Sequence, residues 1–126
     1  MLKNDYDIHY TNEKIEVYFR LIYGIKSGEF YDVEQGLLQQ DSVYPKIRTM
    51  LLDKKINEAE DLLFEYAAHG RHDVLKAGLM FYYRLNQMSD NELEESDFSR
   101  AEISDGIREL LSLYGKESLT SVFDSE

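Results

Sequence analysis

The 126-residue sequence contains no cysteine, no tryptophan and a single proline. Without thiols, neither a disulfide framework nor a thiolate-ligated metal can form; a reducing compartment is the natural setting, and a cytoplasmic location is expected. Residues 1–7 hold no apolar run of the kind an export signal requires. The most hydrophobic segment, residues 73–88, is too short and too charged to span a bilayer. The glycine patterns that cradle phosphates, G-x-x-x-x-G-K-S/T and G-x-G-x-x-G, are missing, as is the G-x-S-x-G of serine hydrolases. Positive charge is scarce. The chain has 14 Lys and Arg against 25 Asp and Glu, a formal net charge of −11, and residues 90–126 alone hold 11 acids against 3 bases. That balance repels phosphate backbones and anionic lipid, so neither nucleic acid nor membrane is expected as a partner.

What remains is the composition of an ordered protein, 43% apolar and 31% charged. At this length one core suffices, which predicts a single helical domain over residues 1–115 and a loose tail over 116–126. Helical periodicity dominates. Ile15, Tyr18, Phe19, Ile22 and Tyr23 share one face of a helix opening near Thr11, with Gly28 placed to end it. Further faces are Val43, Ile47, Met50 and Leu51, then Ala59, Leu62, Leu63, Tyr66 and Ala67, then Ile103, Ile107, Leu110, Leu111 and Tyr114, the last closed by Gly115. Asp32–Gln35, Asn57–Glu60, Ser89–Glu92 and Ser99–Glu102 each have the spacing of a capping box. Residues 1–11 differ. There Tyr6, Ile8 and Tyr10 alternate with Asp5, Asp7 and His9, the pattern of a short extended segment.

The segment 73–88 carries two apolar stripes, Val74, Gly78, Phe81, Leu85 and Met88 beside Leu75, Leu79 and Tyr82. Two stripes call for more than one packing partner, so this is the expected central helix, with Asp73 as its cap. Leu62, Leu63 and Tyr66 on one side and Ile107 and Leu111 on the other are its natural neighbours. The fold class is therefore all-α, a compact bundle of about five to six helices stacked as helical hairpins.

Residues 51–63, Leu-Leu-Asp-Lys-Lys-Ile-Asn-Glu-Ala-Glu-Asp-Leu-Leu, resemble one tetratricopeptide-type helical hairpin, although the Gly-x-x-Tyr positions and closing proline of that repeat are absent. The stretch from Leu93 to Leu111 is similar to small uncharacterised helical proteins of Gram-positive bacteria. This resemblance implies a fold and no chemistry.

One cluster invites a chemical reading, His69-Gly70-Arg71-His72-Asp73. The adjacent His72-Asp73 resembles the metal-binding dipeptide of metal-dependent phosphohydrolases, in which imidazole and carboxylate share a divalent ion. Against this, helices need caps and turns need polar residues, which accounts for His69, His72 and Asp73 without catalysis or metal. No cofactor is implied. Ten tyrosines, most beside a predicted core stripe, suit boundaries between helices or between proteins. Tyr83, with the off-stripe Phe64 and Leu113, forms the candidate contact patch. The leading expectation is a non-catalytic interaction module with a protein partner or a second copy in a homodimer; the alternative is a metal-dependent hydrolase using His69, His72 and Asp73. Thermal melting separates the two. The module melts at the same temperature with and without Mn²⁺ or Zn²⁺, whereas a metal-dependent rise that His72→Ala abolishes would favour the hydrolase.

Overall fold

The computed structural model describes residues 2–40, 42–69 and 74–121. Among these residues lie seven α-helices and no strand: α1 Leu2–Tyr23, α2 Phe30–Gln39, α3 Val43–Leu52, α4 Ile56–Ala68, α5 Val74–Asn86, α6 Asp90–Glu95 and α7 Arg100–Leu113. Short 3-10 turns occupy Ser27–Glu29 and Glu117–Thr120, and Leu119 of the second packs against the core. The all-α bundle is as expected, with a higher helix count because the acidic segment after Ser89 completes a helix of its own.

Residues 2–11 are part of α1 rather than an extended segment. A lone strand here would have no ladder to pair its backbone groups, whereas a helix satisfies them internally. The helix ends at Gly24, not Gly28. Gly24 takes φ +69°, the left-handed conformation that a glycine adopts at no steric cost.

The caps at Ser89 and Ser99 form as the spacing dictates, each hydroxyl accepting from the N–H three residues on while Glu92 and Glu102 reach back. Two predicted boxes do not form. Asp32 lies inside α2, which already starts at Phe30, because Phe30 is drawn into the core. Asn57 lies inside α4, and its amide instead donates to the carbonyls of Ser96 and Asp97, tying α4 to the end of α6. At their C-termini α3, α6 and α7 close in the same manner, with Lys54, Asp97 and Gly115 left-handed and the next residue donating back five positions.

α5 is the central element. It packs against α1, α3, α4 and α7, and Leu79, Phe81, Tyr82 and Leu85 have no exposed surface. A methyl group at Gly78 would strike Leu110 of α7 and touch Leu63 of α4, so the glycine lets three helices meet at one point. At Gly106 of α7 a methyl would collide with the Tyr82 hydroxyl, which identifies the second close approach of α5 and α7. A polar clasp fixes the far end: Asn86 donates to the Ile8 carbonyl and Asn12 at 2.9 Å, while Arg100 donates to the carbonyls of Asn86 and Met88 and to Asp90. Leu79→Asp places an unpaired charge among these helices. The expected loss is about 4 kcal/mol or more, read as loss of helical circular dichroism at 25 °C; a folded variant would show α5 to be peripheral.

Candidate functional site

The buried stripe of α2 runs through Phe30, Glu34 and Leu37, at helical spacing. Glu34 is the exception on it, a carboxylate that is 2% exposed. Burying such a charge is tolerated only with full compensation, and three side chains provide it. Tyr44, at the start of α3, donates its hydroxyl to Oε2 at 2.6 Å. One helical turn on, Arg48 donates Nε to the same oxygen at 3.2 Å. Arg84 of α5 grips the carboxylate side-on, Nε at 2.9 Å from Oε2 and Nη2 on Oε1, and its Nη1 reaches Gln87 at 3.2 Å. Burial alone would raise the carboxyl above its ordinary value; the hydrogen bonds from Arg84 and Tyr44 and the two guanidinium charges reverse this and hold it at about 2. The Tyr44 hydroxyl is pushed far up by its own burial and by the neighbouring carboxylate.

The two arginines form one wall of an open cleft of about 260 Å³ between α3, α5 and the start of α6. Leu51, Leu52 and Met88 give the cleft apolar sides, and Leu52 is 71% exposed at its rim. Lys54 and Glu92 complete the lining. Lys54 pairs with Glu95 at 2.5 Å, which raises its pKa, and the Glu92 carboxylate accepts from the Ser89 N–H at 2.9 Å, which lowers its own.

A second cleft, about 280 Å³, opens between α4 and α7. Its lining is almost wholly acidic, Glu60, Asp61, Glu102, Asp105 and Glu109 around Phe64. Burial and the neighbouring carboxylates raise the Glu60 pKa, against the hydrogen bond it accepts from Tyr82 at 2.6 Å. Among the described residues no group of three or more His, Asp or Glu has the arrangement of a metal site.

The residues singled out in the sequence lie on several elements of the fold. Phe64 lies in the acidic cleft, and Leu113 is 52% exposed at the end of α7. Tyr83 is half-buried, its ring edge-on to Phe30 at 5.0 Å. His69 closes α4, its ring Nδ1 donating to the Glu65 carbonyl at 2.7 Å. His72 and Asp73 lie outside the described residues. Sequence reasoning missed Glu34, Tyr44, Arg48 and Arg84. A usable signal was present in Glu34 itself, a carboxylate on the apolar stripe between Phe30 and Leu37.

The Glu34 carboxyl holds its proton less tightly folded than unfolded, so its contribution to stability is complete above about 4.5 and is lost as the pH falls through about 2. Melting temperatures of the wild type should therefore drop more steeply between pH 4.5 and 2 than those of Glu34→Gln. Parallel curves would remove the buried carboxylate from the energetics.

No curated protein and no solved structure gives a significant match to the chain. Residues 1–115 match a family of unknown function, DUF6483, and with that span the chain belongs to this family.

Proposed function

We propose that this chain is a non-catalytic helical interaction module that binds a protein partner, a second copy of itself included, through the cleft between α3 and α5. The observation that carries this reading is the pair of guanidiniums, Arg48 and Arg84, that the buried Glu34 fixes at the wall of a cleft with the exposed Leu52 at its rim. Behind that wall Glu34 is held at about 2 and stays charged, and its bond to Arg84 raises the guanidinium in turn. General acid–base catalysis needs a group that can exchange its proton near the working pH, whereas recognition needs fixed charge and shape. The exposed Leu52 beside two oriented guanidiniums suits a contact surface, since arginine and apolar side chains together characterise the buried centres of interfaces. The α3–α4 hairpin that frames this surface is the segment with the tetratricopeptide-like sequence.

The metal-dependent hydrolase has no comparable support. His69 donates from its ring to the last turn of α4, and among the described residues it belongs to no group of three or more His, Asp or Glu arranged to hold a metal.

Affinity capture from a native lysate of the source organism tests the module. Leu52→Asp alters an exposed position whose substitution changes stability by only about 0.5 kcal/mol. Proteins retained by the wild type and lost with Leu52→Asp are the expected result; equal retention, or none by either, refutes the reading. Light scattering identifies the self-partner case, as a mass that doubles with concentration for the wild type and stays single for Leu52→Asp.

A further inference from the structure

We infer that the occupant of the α3–α5 cleft is a partner peptide segment presenting one carboxylate beside an apolar side chain, the carboxylate held by Arg48 and Arg84 and the apolar group by Leu51, Leu52 and Met88. This rests on the interaction-module reading and specifies what that module recognises.

The positive charge in the cleft is local. At the wall two guanidiniums share the single Glu34 carboxylate, an excess of one positive charge there. Lys54 adds nothing to that excess, because Glu95 neutralises it, and Glu92 on the rim brings the lining as a whole back to neutral. A monoanion seated at the wall meets the local excess, whereas a dianion such as a phosphomonoester exceeds it.

Geometry points the same way. Arg48 spends only its Nε on Glu34, so among the described residues both its terminal nitrogens are without a partner. Arg84 is pre-set from behind by Glu34 and from the side by Gln87. Guanidinium forks held in fixed orientation favour the planar, two-oxygen carboxylate, and pre-orientation lowers the entropic cost of binding. Leu52, largely exposed in the free chain, offers apolar surface that a ligand can cover.

The net charge of −11 repels acidic partners at long range. Recognition is then confined to contact distance, which selects a segment with one carboxylate in apolar surroundings over an acidic run. The acidic cleft between α4 and α7 offers no such charge and is not the receptor.

Fluorescence anisotropy on an array of octapeptides tests the proposal. Each peptide carries a central Glu beside Leu or Phe with varied flanks; matched arrays carry Gln or phosphoserine in place of the Glu. The wild-type chain should bind a subset of the Glu peptides at least tenfold more tightly than their Gln counterparts, the minimum for a charge-assisted hydrogen bond pair. Phosphoserine should not improve on Glu. Arg48→Gln should remove at least tenfold from the Glu peptides while leaving the weak Gln peptides unchanged, with circular dichroism confirming the fold. If that variant does not fold, Leu52→Asp makes the same comparison by setting a like charge against the carboxylate. Equal binding of Glu and Gln peptides, tighter binding of phosphoserine, or an Arg48→Gln chain that binds as the wild type would overturn the proposal. So would saturation by free hexanoate at concentrations where no peptide binds, which would make the ligand a small acid. If no peptide binds while Leu52-dependent capture from lysate persists, the carboxylate chemistry fails and the interaction module stands; if both fail, both readings fall.

Discussion

The burial of α5 is the constraint from which the rest of the structure follows. Ten of its 13 residues are buried, so the helix must be enclosed on nearly every side, and α1, α3, α4 and α7 are arranged to do so. Enclosure at normal packing density requires close backbone approach, which Gly78 allows where Leu63 and Leu110 converge. Only one strip of the helix is left open. Lys76, Tyr83 and Arg84, spaced at i, i+7 and i+8, lie along it, and Gln87 follows just past the helix end. α5 can therefore place a cation only along this strip. Lys76 sits over the Tyr23 ring at 4.8 Å, and Arg84 meets Glu34.

Glu34 converts that geometric leftover into an oriented site. A well-packed apolar residue in its place would often stabilise a fold as much as a buried ion pair does, because pairing only repays the loss of hydration. What the carboxylate adds is direction. It draws one arginine from α3 and one from α5 to a common point, and Tyr44 takes up a further lone pair so that both oxygens of the buried carboxylate are satisfied. The arrangement couples three helices to the wall of one cleft. A shift of α2 would release both guanidiniums together.

Local signals were legible in the sequence and tertiary ones were not. The apolar stripes of α3, α4, α5 and α7 could be read from spacing alone, as could the caps at Ser89 and Ser99, because each depends on residues within one or two turns. Gly115 closes α7 for the same reason. Asn57 and Asp32 have the same local chemistry as the true caps and failed through distant contacts: the carbonyls of Ser96 and Asp97 claimed the first, and the burial of Phe30 moved the helix start past the second. Tyr6, Ile8 and Tyr10 misled because alternation over five residues also fits a helix, and Asn86, which anchors this part of α1, lies 78 residues from Ile8. The cleft was least visible of all. Glu34 finds Tyr44, Arg48 and Arg84 at separations of 10, 14 and 50 residues, and in a chain with 25 acids no single carboxylate stands out except by its place on an apolar stripe.

The two clefts divide the chain's charge about α5. Tyr82 and Arg84 are two residues apart on that helix, hence about 200° apart around its axis. Tyr82 gives its hydroxyl to Glu60 in the acidic cleft, and Arg84 gives its guanidinium to the cleft beside α3. On the Tyr82 side, burial together with repulsion from Glu102, Asp61 and Glu109 raises the Glu60 pKa, and the clustered carboxylates keep anions away. On the Arg84 side, two guanidiniums share one carboxylate at the wall. An acidic cleft and an arginine-lined one thus lie on opposite sides of α5, and the same helix that fills the core determines on which face each lies.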